Sequence, residues 1–76
     1  MPVTRRTHPV IAARFGSNSA KPRVVRVYDV NAGWTDVVAP QVLTPELVTE
    51  LRSQGYTMVE ARWRMQVKQF SVSAFD

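Results

Sequence analysis

Seventy-six residues with ten Lys/Arg, six Asp/Glu and no cysteine make one small basic domain at most, without disulfide staples, thiolate metal sites or a cysteine nucleophile. A chain of this size buries only about 60–65% of its unfolded surface, and a net stability of ~0.05–0.15 kcal/mol per residue leaves little to hold a strained catalytic cleft. His8 is the single histidine, so a zinc site would need carboxylates almost throughout, and neither a metal nor any other cofactor is expected.

Along the chain, residues 1–22 read as an extended basic arm. Pro2, Pro9 and Pro22, together with the stretch GSNSAKP at 16–22, interrupt regular structure. Only VIAARF at 10–15 has the makings of a short strand or a helical turn. The apolar run Val10 to Ala13 ends at Arg14, too short for the core of a signal peptide. No run approaches the ~18 apolar residues of a membrane span. Neither export nor membrane insertion is expected, which points to the cytoplasm or a virion.

A single α+β domain is expected over 23–76. The segments PRVVRVYDV, NAG and WTDVVAP, covering 22–40, read as strand, turn and strand. Their Val, Tyr and Trp residues favour a pleated surface, and Asn31 or Gly33 can take the positive φ of a hairpin. Val25 and Val27 share one face with Arg23 and Asp29, while Val24, Tyr28 and Val30 share the other with Arg26. Neither face therefore reads unambiguously as the core face. Pro40 ends the second strand or marks an edge.

VLTPELVTELRSQGY at 42–56 reads as a helix. Thr44 is placed as N-cap, Pro45 as first residue, Glu46 in the positive first turn and Gly55 as the left-handed stop. Leu43 and Val48 are spaced for a hydrophobic staple, and Leu47, Val48 and Leu51 make the face that meets a core.

After the helix, ARWRMQVK at 61–68 alternates strictly. Val59, Ala61, Trp63, Met65 and Val67 are expected on one face of a strand, and Glu60, Arg62, Arg64, Gln66 and Lys68 on the other. A helical reading also exists, with TMVE at 57–60 as a capping box, but four strict alternations favour the strand. Beyond Gln69 the apolar phase slips to Phe70 and Val72, as at a bulge or a turn. The expected architecture is a small antiparallel sheet of three to four strands with one helix packed on it in β-β-α-β order, preceded by the arm.

Charge is unevenly spread. Residues 1–26 hold Arg5, Arg6, Arg14, Lys21, Arg23 and Arg26 and no acid, whereas residues 27–50 hold Asp29, Asp36, Glu46 and Glu50 and no base. Such asymmetry suits an anionic partner or the chain's own acidic middle. Two surfaces follow from it. The arm, through Arg5, Arg6, Val10, Ile11, Arg14 and Phe15, has the mixture of charge and apolar anchors used by segments that order on a partner. The row Arg62, Arg64, Gln66 and Lys68 spaces its groups by about 6.5–7 Å, close to the phosphate repeat of a nucleic-acid strand; the competing reading is the solvated face of a strand.

Trp34 and Trp63 suit a core better than a stacking platform, because each sits in an apolar alternation. Asp29 and Asp36 flank a turn without a histidine or a phosphate loop beside them, and His8 has no neighbour in sequence to orient it as a base. No Walker loop, GxSxG, HExxH or dinucleotide fingerprint occurs, so the chain reads as a binding module and not an enzyme. The leading function class is a small interaction protein that docks on a larger protein assembly as accessory subunit or inhibitor, a type that includes bacteriophage proteins. The alternative is a nucleic-acid-binding module working through the cationic strand face and the arm.

Overall fold

A computed structural model describes residues 8–16 and 21–75. Helix α1 spans Pro9–Phe15, strand β1 Arg23–Asp29, strand β2 Gly33–Val42, helix α2 Pro45–Ser53, strand β3 Tyr56–Trp63 and strand β4 Gln66–Ser71, followed by a 3₁₀ turn at Val72–Phe75. The strands form one antiparallel sheet in the order β2-β1-β3-β4. The expected α+β class, a small antiparallel sheet of three to four strands with a helix packed on it, is what the chain adopts; the sheet has four strands, and α2 lies in the chain between β2 and β3.

Local chemistry accounts for the element ends. Thr44 Oγ1 accepts the Leu47 N–H at 3.1 Å, Pro45 occupies the first helical position, and Gly55 at φ 96° follows the last turn of α2, as an N-cap and a left-handed stop require. In the first hairpin Asp29 pairs with Gly33 across a three-residue loop, and Gly33 takes φ 76°. This is the left-handed residue that closes three-residue hairpin loops.

An irregularity in β1 decides which side chains enter the core. Val24 pairs with Ala61 and Arg26 with Glu60, so Val25 is one residue extra relative to β3. A bulge of this kind inverts the side-chain alternation. Val24 and Val27 consequently lie on the same face, although three residues separate them, and Arg26 and Tyr28 lie on the other. Opposite this bulge β2 bows out, since Gln41 and Asp36 are its successive partners and residues 37–40 have none.

The covered face of the sheet meets both helices. Ile11 and Phe15 of α1, Leu43 and Val48 at α2, and Val24, Val27, Val59, Ala61, Phe70 and Val72 form one buried cluster. The ring of Phe15 lies 5.9 Å from that of Phe70, which lies 5.8 Å from Phe75. Such tilted aromatic contacts add to the area they bury. Arg14 lays its guanidinium 5.2 Å from the Phe70 ring centroid, shielding an edge of the same cluster.

Two expectations need correction. Within the segment expected to be an extended arm, residues 9–15 are helical. His8 is the N-cap, its Nδ1 accepting the Val10 N–H at 3.2 Å, Pro9 is the first residue, and Gly16 closes the helix at φ 72°. Pro9 and Gly16, which looked like breakers, are helix punctuation. Residues 1–7 and 17–20 of that segment lie outside the described residues.

The second correction concerns the alternating stretch, which is not one strand. Trp63 pairs with Gln66 across a two-residue turn at Arg64 and Met65, so β3 and β4 are two strands of a hairpin. A turn of two residues places positions i and i+3 on one face, and the odd-numbered inward set of β3 becomes an even-numbered set in β4. Phe70 is therefore buried, while Met65 and Val67, expected inside, are 95% and 50% exposed.

Because α1 contributes Ile11 and Phe15 to a core shared with the sheet, it belongs to the fold. Phe15→Ala is expected to cost ~3–5 kcal/mol and to lower the midpoint of thermal unfolding by ~10 °C or more. Urea and thermal denaturation followed by circular dichroism check this, and wild-type stability of the variant would mean that α1 does not dock on the core.

Candidate functional site: a cationic cleft at one end of the sheet

The face of the sheet turned away from the helices is open, and its register sorts it into cross-strand rows. At its centre Asp36, Arg26, Glu60 and Gln69 lie side by side on the four strands. Arg26 Nε is 3.4 Å from Asp36 Oδ1, Arg26 Nη1 is 3.9 Å from Glu60 Oε1, and Gln69 Nε2 donates to Glu60 Oε1 at 3.1 Å. Arg26 Nε is nevertheless buried without a hydrogen bond, so its approach to Asp36 is an ion pair too long or too oblique to be one. With two carboxylates beside it, Arg26 offers little net charge to a ligand.

In the adjoining row Trp34 faces Tyr28 edge-on at 5.3 Å, and the Arg26 guanidinium lies 5.4 Å from the Trp34 ring centroid. The expectation that Trp34 fills the core is thus not met. It stands on the open face, because Tyr28, its cross-strand partner, was turned outward by the bulge at Val25.

At the opposite end, where β1 begins and β3 ends, the surface opens into a cleft of about 330 Å³ lined by Lys21, Arg23, Val25, Pro40, Arg62, Trp63 and Arg64. Three separate segments build it. β1 and its entry bring Lys21, Arg23 and Val25, the bowed part of β2 brings Pro40, and the end of β3 with its turn brings Arg62, Trp63 and Arg64. Arg23 and Arg62 are cross-strand partners. Like charges placed opposite each other destabilise a sheet, so the juxtaposition is a cost to folding that an anionic ligand would remove.

All four cations are exposed, whereas Val25 and Trp63 are half-buried. Among the described residues no carboxylate lines the cleft and none of its cations joins an ion pair; Asp36 and Glu60, on the same open face, are taken by Arg26. Low-dielectric walls with charge of one sign focus the potential toward an anion.

Trp63 also packs against the core cluster, since it alternates with Val59 and Ala61 on the helix-side face of β3 and reaches the cleft at the end of the strand. The Arg64 guanidinium lies 4.8 Å from its centroid. Arg64 has φ 56°, the one positive φ of a non-glycine residue among the described residues. A left-handed backbone at a residue with a Cβ costs ~1–2 kcal/mol, and such strain collects at functional sites.

The residues expected to bind are thus redistributed. Arg62 and Arg64 come together in the cleft. Gln66 lies across the turn, paired with Trp63, and Lys68 pairs with Ala61 on the helix-side face, so the single row Arg62, Arg64, Gln66 and Lys68 does not form. On α1, Ile11 and Phe15 are buried in the chain's own core and Val10 packs beside it, while Arg14 covers Phe70. Arg5 and Arg6 lie outside the described residues. His8 caps α1, and Asp29 Oδ1 accepts the Asn31 N–H at 3.4 Å in the first hairpin, which gives both local structural employment.

Lys21, Arg23, Val25 and Pro40 were not singled out by sequence reasoning. The basic bias of residues 1–26 pointed toward the first two, but nothing in the order of residues reveals that the start of β1 lies beside the end of β3. Among the described residues no three His, Cys, Asp or Glu side chains gather as a metal site would need, and no helix is long and apolar enough to cross a membrane. No protein-family model, curated protein or solved structure matches this chain.

Replacing Arg64 by glycine separates the role of its side chain from that of its backbone. Relief of ~1 kcal/mol of left-handed strain offsets the loss of a partly exposed guanidinium stack of ~0.5–1 kcal/mol. Arg64→Gly is accordingly expected to unfold within ~1 kcal/mol of wild type in urea. A clearly larger loss would show that the stack on Trp63 holds the hairpin together.

Proposed function

We propose that this protein is a non-enzymatic nucleic-acid-binding module whose contact site is the cleft at the start of β1 and the end of β3. One observation carries the reading: Lys21, Arg23, Arg62 and Arg64 arrive from separate parts of the chain at a single cleft that no carboxylate of the described residues lines. Solvation of a strand asks only that charges point outward, and it gives no reason for four cations to gather while the neighbouring arginine is neutralised by two acids. A polyphosphate backbone supplies the counter-charge. It also gains from release of the ions condensed on it.

Arg23 and Arg62 contact phosphates in this reading, Lys21 adds a mobile point charge, and Arg64 works at the turn beside Trp63. Guanidinium groups suit phosphate because their planar forks hydrogen-bond two oxygens at once. The absence of any catalytic motif in the sequence supports binding without turnover.

A second reading, docking on a larger protein assembly, draws on different residues. Val38, on the unpaired bow of edge strand β2, is fully exposed, and Met65 at the tip of the second hairpin is 95% exposed. An exposed strand edge bearing apolar side chains is a place where another chain can add. The apolar anchors on α1, which first suggested such docking, give it no support once Ile11 and Phe15 are counted in the core.

Titration of fluorescently labelled oligonucleotides at several salt concentrations tests the first reading. Contacts by all four cations correspond to a log–log slope of about −3 to −4, a loss of roughly 100-fold in affinity between 50 and 200 mM salt. The double variant Arg23→Glu/Arg62→Glu should lose most of the affinity and flatten the slope, while unfolding like wild type because both residues are exposed. Undiminished affinity in that variant would refute the assignment of the cleft, and absence of binding at low salt would turn attention to protein partners of Val38 and Met65.

A further inference from the structure

We infer that the cleft takes a single strand and not a duplex, by stacking one base on Trp63 after the Arg64 guanidinium leaves that ring face for a phosphate. The inference rests on the nucleic-acid reading of the cleft and specifies its ligand.

Three observations support it. The first is the ring itself. Trp63 is half-buried, packs against the core cluster and, at the turn end of β3, lines the cleft with the Arg64 guanidinium over its ring. Phosphate binding alone has no use for an indole there, whereas base–aromatic stacking is the usual way in which a groove that follows a backbone gains affinity without reading sequence.

The second is size. The cleft is open and of about 330 Å³, at the lower end of the range for sites that take one small ligand. It suits a unit on the scale of a nucleotide. In a duplex the base faces are stacked inside and only their edges reach the grooves, so a duplex could touch the rim cations but could not bring a base face to Trp63.

The third is the guanidinium already on the ring. Arg64 sits 4.8 Å from the Trp63 centroid on a backbone at φ 56°. A guanidinium is a flat cation that stacks as a base does, and here it occupies the position where a base would lie. A cation held over a partly exposed ring is attracted less strongly than a stacked base, so exchange favours the base. The displaced guanidinium then meets the phosphate of the same nucleotide. Trp34 also carries a guanidinium, that of Arg26, but one held between two carboxylates and so not free to move to a phosphate. Tyr28 and Arg26 engage it at the far end of the open face, beside the neutralised centre of the sheet.

The test uses the full chain with Trp34→Phe, which leaves Trp63 as the only tryptophan. Its emission is followed at low salt during titration with short oligothymidylate, and with a duplex of equal length. Stacking predicts that the single strand quenches Trp63 emission and binds more tightly than the duplex, and that Trp63→Leu, assayed with a labelled strand, weakens single-strand affinity roughly 5- to 100-fold while Trp63→Phe largely retains it. Trp63 also packs on the core, so circular dichroism verifies the fold of the leucine variant; the quenching and the duplex comparison do not depend on that variant. Single-strand binding that leaves Trp63 emission unchanged, or a duplex that binds as tightly, overturns this inference and leaves the nucleic-acid reading standing. Absence of salt-sensitive binding by either nucleic acid overturns both.

Discussion

The extra residue in β1 is the constraint on which the arrangement of this protein turns. Without Val25 standing out of register, Val24 and Val27 would lie on opposite faces of the sheet. One of them would then face water, and a domain this small has few apolar side chains to spare. With the bulge, both enter the core against Val59 and Ala61, and Arg26, Tyr28 and Trp34 are turned together onto the open face. β2 bows out across from the same residue, with residues 37–40 facing Val25, and the bow brings Pro40 to the cleft. Core composition, open-face chemistry and one wall of the cleft thus all change at the same place along β1.

Burial is one-sided. Both helices cover the same face, and the sheet is wide enough for a cluster that includes Phe15, Phe70 and Val48 yet leaves its other face in contact with solvent. An antiparallel sheet tolerates this division because alternate side chains can be assigned to the two environments. The open face is ordered electrostatically: a neutralised arginine at the centre, an aromatic pair on one side, and at the other end cations that join no ion pair among the described residues. Separation of like charges from their counter-charges costs free energy in the unliganded protein, so its presence at one place is the most informative feature of this surface.

Much of the fold was legible in the order of residues. The cap, proline and glycine around α2 specify where that helix starts and stops, since they act through bonds within a few residues of themselves. The first hairpin was legible for the same reason, with Gly33 supplying the one conformation its loop requires. The second hairpin was hidden because its turn holds Arg64 and Met65, neither a turn former, and because strict alternation continues through the turn while its meaning inverts. Helix α1 was hidden by punctuation that resembles disorder: seven residues between His8 and Gly16 hold their form by packing Ile11 and Phe15 on the sheet, not by intrinsic propensity.

By itself, then, the sequence determined a small basic α+β domain lacking a catalytic motif, with α2 and the first hairpin in place, because composition, caps and turn residues are local properties. Tertiary structure alone decided that Lys21 and Arg23 stand beside Arg62 and Arg64, that Lys68 belongs to the opposite face, and that Trp34 is outside while Trp63 backs onto the core. Those outcomes depend on register. A shift of one residue in pairing exchanges the two faces of a strand, and register is set by which arrangement buries the most apolar surface across the whole sheet, a quantity that no short stretch of sequence contains.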